Sequence, residues 1–277
     1  MAITKVLITV KAYPTLSAKY DELVCTAGVK ENGDWIRIYP IPFRKKDYDE
    51  RYRKYDWIEI DLIKNQEDFR PESYRPISPD TKIKIVGHLD TKDNWQERKK
   101  YCLRKVYDNL HDLIQEAKNK NISLATFKPK EIIDFIAEPT KREWDRDKIL
   151  KIQAKRRQLK LFEENLVEDF QIVKKLPYKF KYKFIDSQGK KSNMMIEDWE
   201  IGQLFWNCLA RHNCNENKAI EDVRKKYFDD FAKTKDIYFF LGTTHQFHRI
   251  SKNPFMIIGV FYPPFTPKEM QRELPFQ

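Results

Sequence analysis

From Lys5 to about His88 the apolar residues come in short β-branched or aromatic runs rather than in stripes of helical spacing. The runs Lys5–Ala12, Glu22–Val29, Trp35–Tyr39, Trp57–Ile63 and Lys82–Leu89 are each bounded by Pro, Asn, Gly or Asp, which reads as successive strands. Glu31-Asn32-Gly33-Asp34 predicts a hairpin between the second and third, because Asn-Gly supplies the positive φ of a tight turn. With no long helix between them, these strands predict a small, partly closed antiparallel barrel or rolled sheet.

From Asn94 the period lengthens. Tyr101, Leu103, Val106, Leu110, Leu113 and Ile114 recur three or four apart and predict one helix running to Lys118, ended by Asn119-Lys120-Asn121. Leu124–Ile136 reads as a connector, and Glu138-Pro139-Thr140 as a boundary between lobes. The following segment, Lys141–Leu161, carries Arg142, Arg146, Lys148, Lys151, Lys155, Arg156, Arg157 and Lys160, and is either a solvated helix or an arm on a ligand. Strict alternation over Tyr178–Phe184 predicts a strand with Phe180, Tyr182 and Phe184 on one face and Lys179, Lys181 and Lys183 on the other. A second strand at Asn193–Ile196 is expected next. Helices over Asp198–His212, capped by Asp198, and Asn217–Ala232 follow, then strands Ile237–Leu241 and Phe255–Phe261. The class is therefore α+β: a β-rich barrel-like domain at 1–93, a helical and charged connector at 94–176, a C-terminal α+β lobe at 177–262 and a Pro-rich tail at 263–277.

Composition narrows the function. The first ten residues lack the basic head and cleavage site of a secretory signal, and no apolar stretch is long enough to span a membrane. The four cysteines, Cys25, Cys102, Cys208 and Cys214, do not form a disulfide framework in a chain of 277 residues, so a cytoplasmic, soluble protein is expected. Lys and Arg outnumber Asp and Glu by 53 to 42, a net charge of +11, and a polyanion is the class of partner this charge favours. Lysine, isoleucine and asparagine are abundant as in proteins from AT-rich genomes, so codon usage is the alternative source of the excess; a prokaryotic source is expected. Glycine numbers only 7, and no G-x-G-x-x-G or G-x-x-x-x-G-K-[ST] occurs, which argues against nucleotide-driven motors and dinucleotide enzymes and for no cofactor.

Five constellations carry candidate chemistry. The basic and aromatic stretch containing Arg37, Tyr39, Phe43, Arg44, Lys45, Lys46 and Tyr52 has the rings and cations with which proteins hold unpaired bases and phosphates. The opposite reading packs its tyrosines on the sheet and leaves their charged neighbours in water. Lys179, Lys181 and Lys183, about 6.6–6.8 Å apart on a strand, match the scale of a phosphate repeat, although lysines guarding an edge strand look the same. Cys208, His212 and Cys214 with His245 and His248 are zinc-type ligands without paired knuckle spacing, so no metal is expected.

Thr243, Thr244, His245, His248 and Arg249 form a polar loop suited to phosphate recognition, with phosphodiester hydrolysis by a histidine acid or base as its enzymatic counterpart. Glu59 with Asp61, and Glu197, Asp198 and Glu200, are the carboxylates a metal-dependent nuclease would use, but no strand-borne acid-x-Lys follows Asp80 to complete such a site. The expectation is a nonenzymatic DNA- or RNA-binding protein, with other protein subunits of a nucleoprotein assembly as further partners, contacting its ligand through the first two groups together with His248 and Arg249. A nuclease-type enzyme and a protein-interaction module are the alternatives.

Overall fold

The structure, a computed structural model, describes residues 3–17, 21–162 and 172–266. Pro267 and Pro275 of the tail, and the side chains of Lys155, Arg156, Arg157 and Lys160, lie outside the described residues.

The N-terminal strands are β1 (Ile3–Lys11), β2 (Thr15–Ser17), β3 (Asp21–Lys30), β4 (Trp35–Ile41), β5 (Asp56–Lys64), β6 (Ser73–Pro76) and β7 (Ile83–His88). Five of them close a barrel in the order β1-β3-β4-β6-β5 and back to β1. The turn between β3 and β4 has Gly33 at φ 86°, as Asn-Gly predicts. The barrel is not wholly antiparallel: the β5–β6 hairpin returns β6 alongside β4 in the same direction, with Arg37 opposite Ser73. β7 continues the line of β6 along β5.

Val6, Ile8, Val24, Ile36, Ile38, Ile58, Ile60 and Ile83 fill the interior, plugged by Phe43 and Tyr52. The alternate residues Leu7, Val10, Ala27 and Val29 are buried too, against Phe240 and Phe261 of the second lobe. Burial on both faces explains why β1 reads as a nearly continuous apolar run. Where β1 crosses β3, a Cβ on Gly28 would come within 2.1 Å of the Leu7 carbonyl oxygen, so only glycine fits.

The remainder comprises α1 (Lys92–Cys102), β8 (Val106–Tyr107), α2 (Leu110–Lys118), β9 (Leu124–Phe127), β10 (Glu131–Pro139), α3 (Arg146–Phe162), β11 (Tyr178–Ile185), β12 (Lys191–Met195), α4 (Trp199–Arg211), α5 (Glu216–Arg224), a π-helical turn Lys225–Ala232, β13 (Tyr238–Thr243) and β14 (Phe255–Phe261). They form a four-stranded sheet β14-β13-β9-β8 and a three-stranded sheet β10-β11-β12 around a core rich in Phe, including Phe127, Phe180, Phe184, Phe205 and Phe239. Among the described residues no helix is long and apolar enough to cross a membrane.

Three expectations change here. The helix predicted from Asn94 to Lys118 is two, interrupted where Val106 and Tyr107 pair with β9; the Asn109 side chain accepts from the His111 N–H and starts α2 afresh. Leu124–Ile136 is not a connector but two strands, because Phe127 and Phe135 enter the shared core. Glu138 and Pro139 lie inside β10, paired with Lys179 and Tyr178, so the sheet runs across the anticipated lobe boundary.

Candidate nucleic-acid interface

The predicted basic and aromatic stretch does not fold into a continuous surface. Arg37 lies on β4 and is 2% exposed; its guanidinium donates to Ser123 Oγ at 2.7 Å and to the Ser123 and Thr243 carbonyls at 3.3 Å each. It ties the barrel to the second lobe. Phe43 and Tyr52 face the barrel interior with ring centroids 4.8 Å apart, and the Tyr52 hydroxyl is 2.5 Å from Thr26 Oγ1. Lys46 is buried and donates to the Thr81 carbonyl at 2.7 Å.

Arg37, Phe43, Lys46 and Tyr52 are thus structural rather than ligand-facing. Two 3₁₀ turns, Phe43–Lys45 and Tyr48–Glu50, fold the segment over the barrel end, the first turning Phe43 inward and the second burying Glu50. Tyr39 is half-buried, and Arg44 pairs with Glu22 at 2.7 Å. Lys45, Tyr48, Arg51 and Arg53 remain exposed.

The adjoining Lys54 runs inward as well, 2.7 Å from Asp198 and 2.9 Å from Glu200. Beside it, Lys11 lies over the rings of Phe43 at 4.6 Å and Trp199 at 5.4 Å and donates to the Tyr52 carbonyl; burial lowers its pKa to about 8.

Lys179, Lys181 and Lys183 do alternate with the buried Phe180, Tyr182 and Phe184. Their strand is the middle of its sheet, paired with β10 and β12, so they do not guard an edge. Glu138 takes Lys181 in an ion pair, Lys183 acts on the nearby Asp134, and Lys179 is exposed.

His248 is 1% exposed, with Nδ1 2.7 Å from Thr243 Oγ1, whereas Arg249 and His245 are exposed. Burial, and after it the charges of Arg70 and Arg37, hold the His248 pKa below its ordinary value. Arg249 lies 3.9 Å above the Phe69 ring. Among the described residues no three His, Cys, Asp or Glu side chains group as metal ligands: Cys208 is buried, Cys214 is exposed, and His212 pairs with Asp222 at 2.7 Å. Asp198 caps α4, and Glu59 pairs with Lys84 at 3.5 Å.

A surface that does combine rings and cations is a cleft of about 370 Å³ between the β3–β4 hairpin, the chain from Pro71 to Tyr74, and the second lobe at Lys105–Tyr107 and Asn121–Ala125. Trp35, Tyr74 and Tyr107 line it. The Tyr74 ring has the ammonium groups of Lys30 at 5.3 Å and, from beyond the lining, Lys64 at 4.8 Å, which also donates to the Pro71 carbonyl; Lys105 stands 4.7 Å from the Tyr107 ring and 3.6 Å from Glu116. The Tyr107 hydroxyl, and beyond it Glu116, hold Lys105 above its ordinary pKa, so it is charged at neutral pH.

The cleft's Glu72 is engaged, accepting from the Ser123 N–H at 2.7 Å, its hydroxyl at 2.6 Å and the Leu124 N–H. Sequence reasoning missed this set because its members come from four separate segments. Lys105-Val106-Tyr107 is the nearest signal, and its spacing falls within the helix predicted to run to Lys118.

The family model described as Domain of unknown function (DUF8757) matches residues 104–276, and the chain belongs to this family. A second model, Domain of unknown function (DUF8758), matches residues 2–104. No curated protein matches the chain. Among solved structures, one described as a murine DNA-binding protein bound with double-stranded DNA is similar at 10% identity and a TM-score of 0.32, over 96% of this chain and 98% of that one.

Proposed function

We propose that this protein binds nucleic acid, DNA or RNA, and that the cleft is where an unpaired stretch of it lies. The observation that carries the reading is the set of three aromatic rings with the ammonium groups of Lys30, Lys64 and Lys105 within about 5 Å of two of them. Rings stack bases of any sequence while cations follow the phosphates, the combination used for single strands. A net charge of +11 adds attraction at longer range. The cleft borders the β3–β4 hairpin and the β5–β6 loop of a five-stranded barrel, the general region through which barrels of this size take oligonucleotides, although architecture alone assigns no function. The exposed Lys179, Lys45 and Arg249 are further candidates for phosphate contacts.

Fluorescence anisotropy with a labelled single-stranded oligonucleotide across a salt series tests this. Each phosphate contact contributes about −0.7 to the slope of log K against log salt, so changing Lys30, Lys64 and Lys105 together to Gln is expected to flatten it by about 2. Tyr74→Ala is expected to weaken binding by about 1–3 kcal/mol. Folded variants that bind like the parent protein would remove the cleft from consideration.

A further inference from the structure

The loop between β13 and β14, residues 244–254, is fixed from beneath and apolar at its tip. Beneath it, the carbonyl of Thr243 accepts from Arg70 Nη1 at 2.5 Å and Arg37 Nη2 at 3.3 Å, and the Thr243 hydroxyl meets the buried His248 ring. Phe69 packs against His245 and His248, with centroids 4.9 and 5.4 Å away, and supports the Arg249 guanidinium. Within the loop, the His248 N–H donates to the Thr244 carbonyl, the Ser251 N–H to the Phe247 carbonyl, and the Phe247 N–H to Thr244 Oγ1. Despite this anchoring, Phe247 is 47% and Ile250 74% exposed.

Two large apolar side chains three residues apart, held in water by one fixed loop, offer a partner an apolar contact. The chemistry around them selects the partner: the loop exposes Arg249, Lys252 and His245 and carries no carboxylate, and Asp68 beneath it is taken up by Arg70 and Ser73. A cationic rim about an apolar tip complements a polyanion with an apolar stack inside it, which is a nucleic-acid duplex.

The loop is also connected to the cleft. Phe69 and Arg70 support the loop, whereas Pro71, Glu72 and Tyr74 of the same segment line the cleft. Chain from Phe69 to Tyr74 reaches at most about 17 Å, so a ligand touching both sites passes from one to the other within a few nucleotides.

Resting on the cleft reading above, we propose that this loop is a wedge for a junction between single and double strand. The unpaired strand follows the cleft, and Phe247 and Ile250 press against or into the terminal base pair of the duplex.

Three DNA probes test it: a single strand, a blunt duplex, and a duplex with a single-stranded overhang carrying 2-aminopurine in its terminal pair. The protein is expected to bind the overhang duplex at least about tenfold tighter than either other probe, the range one stacked ring supplies, with a rise in 2-aminopurine fluorescence. The double variant Phe247→Ala, Ile250→Ala is expected to lose the preference and the fluorescence rise while binding the single strand within about twofold of the parent; because both side chains are exposed, circular dichroism should be unchanged. A double variant that keeps the preference, or a parent protein that shows none while still binding the single strand, overturns the wedge and leaves the cleft standing. A parent protein that binds none of these probes, nor a single-stranded RNA of the same length, overturns both.

Discussion

Replacing Lys54 with methionine keeps the length and apolar stem of the side chain and removes its charge from a place where water cannot substitute. Its ammonium is 2.7 Å from Asp198 and 2.9 Å from Glu200; the Lys54 side chain is 5% exposed and that of Asp198 fully buried, whereas Glu200 is 48% exposed. Without Lys54, Glu200 can turn to water. Asp198 cannot, and keeps only the Glu200 N–H at 3.2 Å. An uncompensated buried charge costs about 3–5 kcal/mol, and that is the loss expected for Lys54→Met.

The effect is fully present at neutral pH. Burial alone would lower the Lys54 pKa, but the two carboxylates outweigh it and raise it, so on the alkaline side the stabilisation is whole below the unfolded value of 10.5 and fades as pH climbs through the folded one; on the acid side it fades as Asp198, which burial raises to about 6, takes up a proton. Urea unfolding at pH 7 measures the loss. Asp198→Asn retains an oxygen to cap α4, and adding it to Lys54→Met should recover about 2 kcal/mol relative to the sum of the two single changes. A loss below about 1 kcal/mol, or additivity within about 0.5 kcal/mol, would show that the pair does not hold the lobes together.

Arg37→Met is expected to cost about 2–3 kcal/mol in chemical denaturation, because it strips barrel donors from buried acceptors of the second lobe, yet to leave the nucleic-acid affinity of the folded protein unchanged. A folded Arg37→Met protein with weakened binding would return Arg37 to the interface. His248 has a folded pKa below its unfolded 6.5, so the unfolded chain binds the extra proton first and stability should fall as pH drops below about 6.5. That decline should be smaller in His248→Gln; equal slopes in the two proteins would mean that His248 does not titrate against folding.

Much of the strand architecture was legible because a strand advertises itself locally. Runs such as Trp35–Tyr39, the Asn-Gly turn, and the Phe180–Tyr182–Phe184 alternation each carry a period of two and a breaker, and their strands sit where that pattern puts them. The Asp198 cap was legible for the same reason, since an N-cap is a contact between neighbours. Val106-Tyr107 was not: two residues have no period of their own, and only pairing with Thr126 and Phe127 makes them a strand.

The site depended on the opposite kind of information. A sequence gives the number of cations and rings but not which face of the fold each reaches, and the densest cluster, Arg37 to Tyr52, spends its largest groups on the barrel interior and the contact between lobes. Lys30, Lys64, Tyr74 and Lys105, scattered singly along the chain, become neighbours when the barrel closes and the second lobe packs beside its hairpin. Composition and local pattern thus determined the charge, the strands and the turns, which depend on adjacent residues. Barrel closure, the burial of Arg37 and Lys54, and the cleft were decided by contacts between residues distant in the chain, where the cost of burying a charge depends on partners that only the tertiary fold supplies.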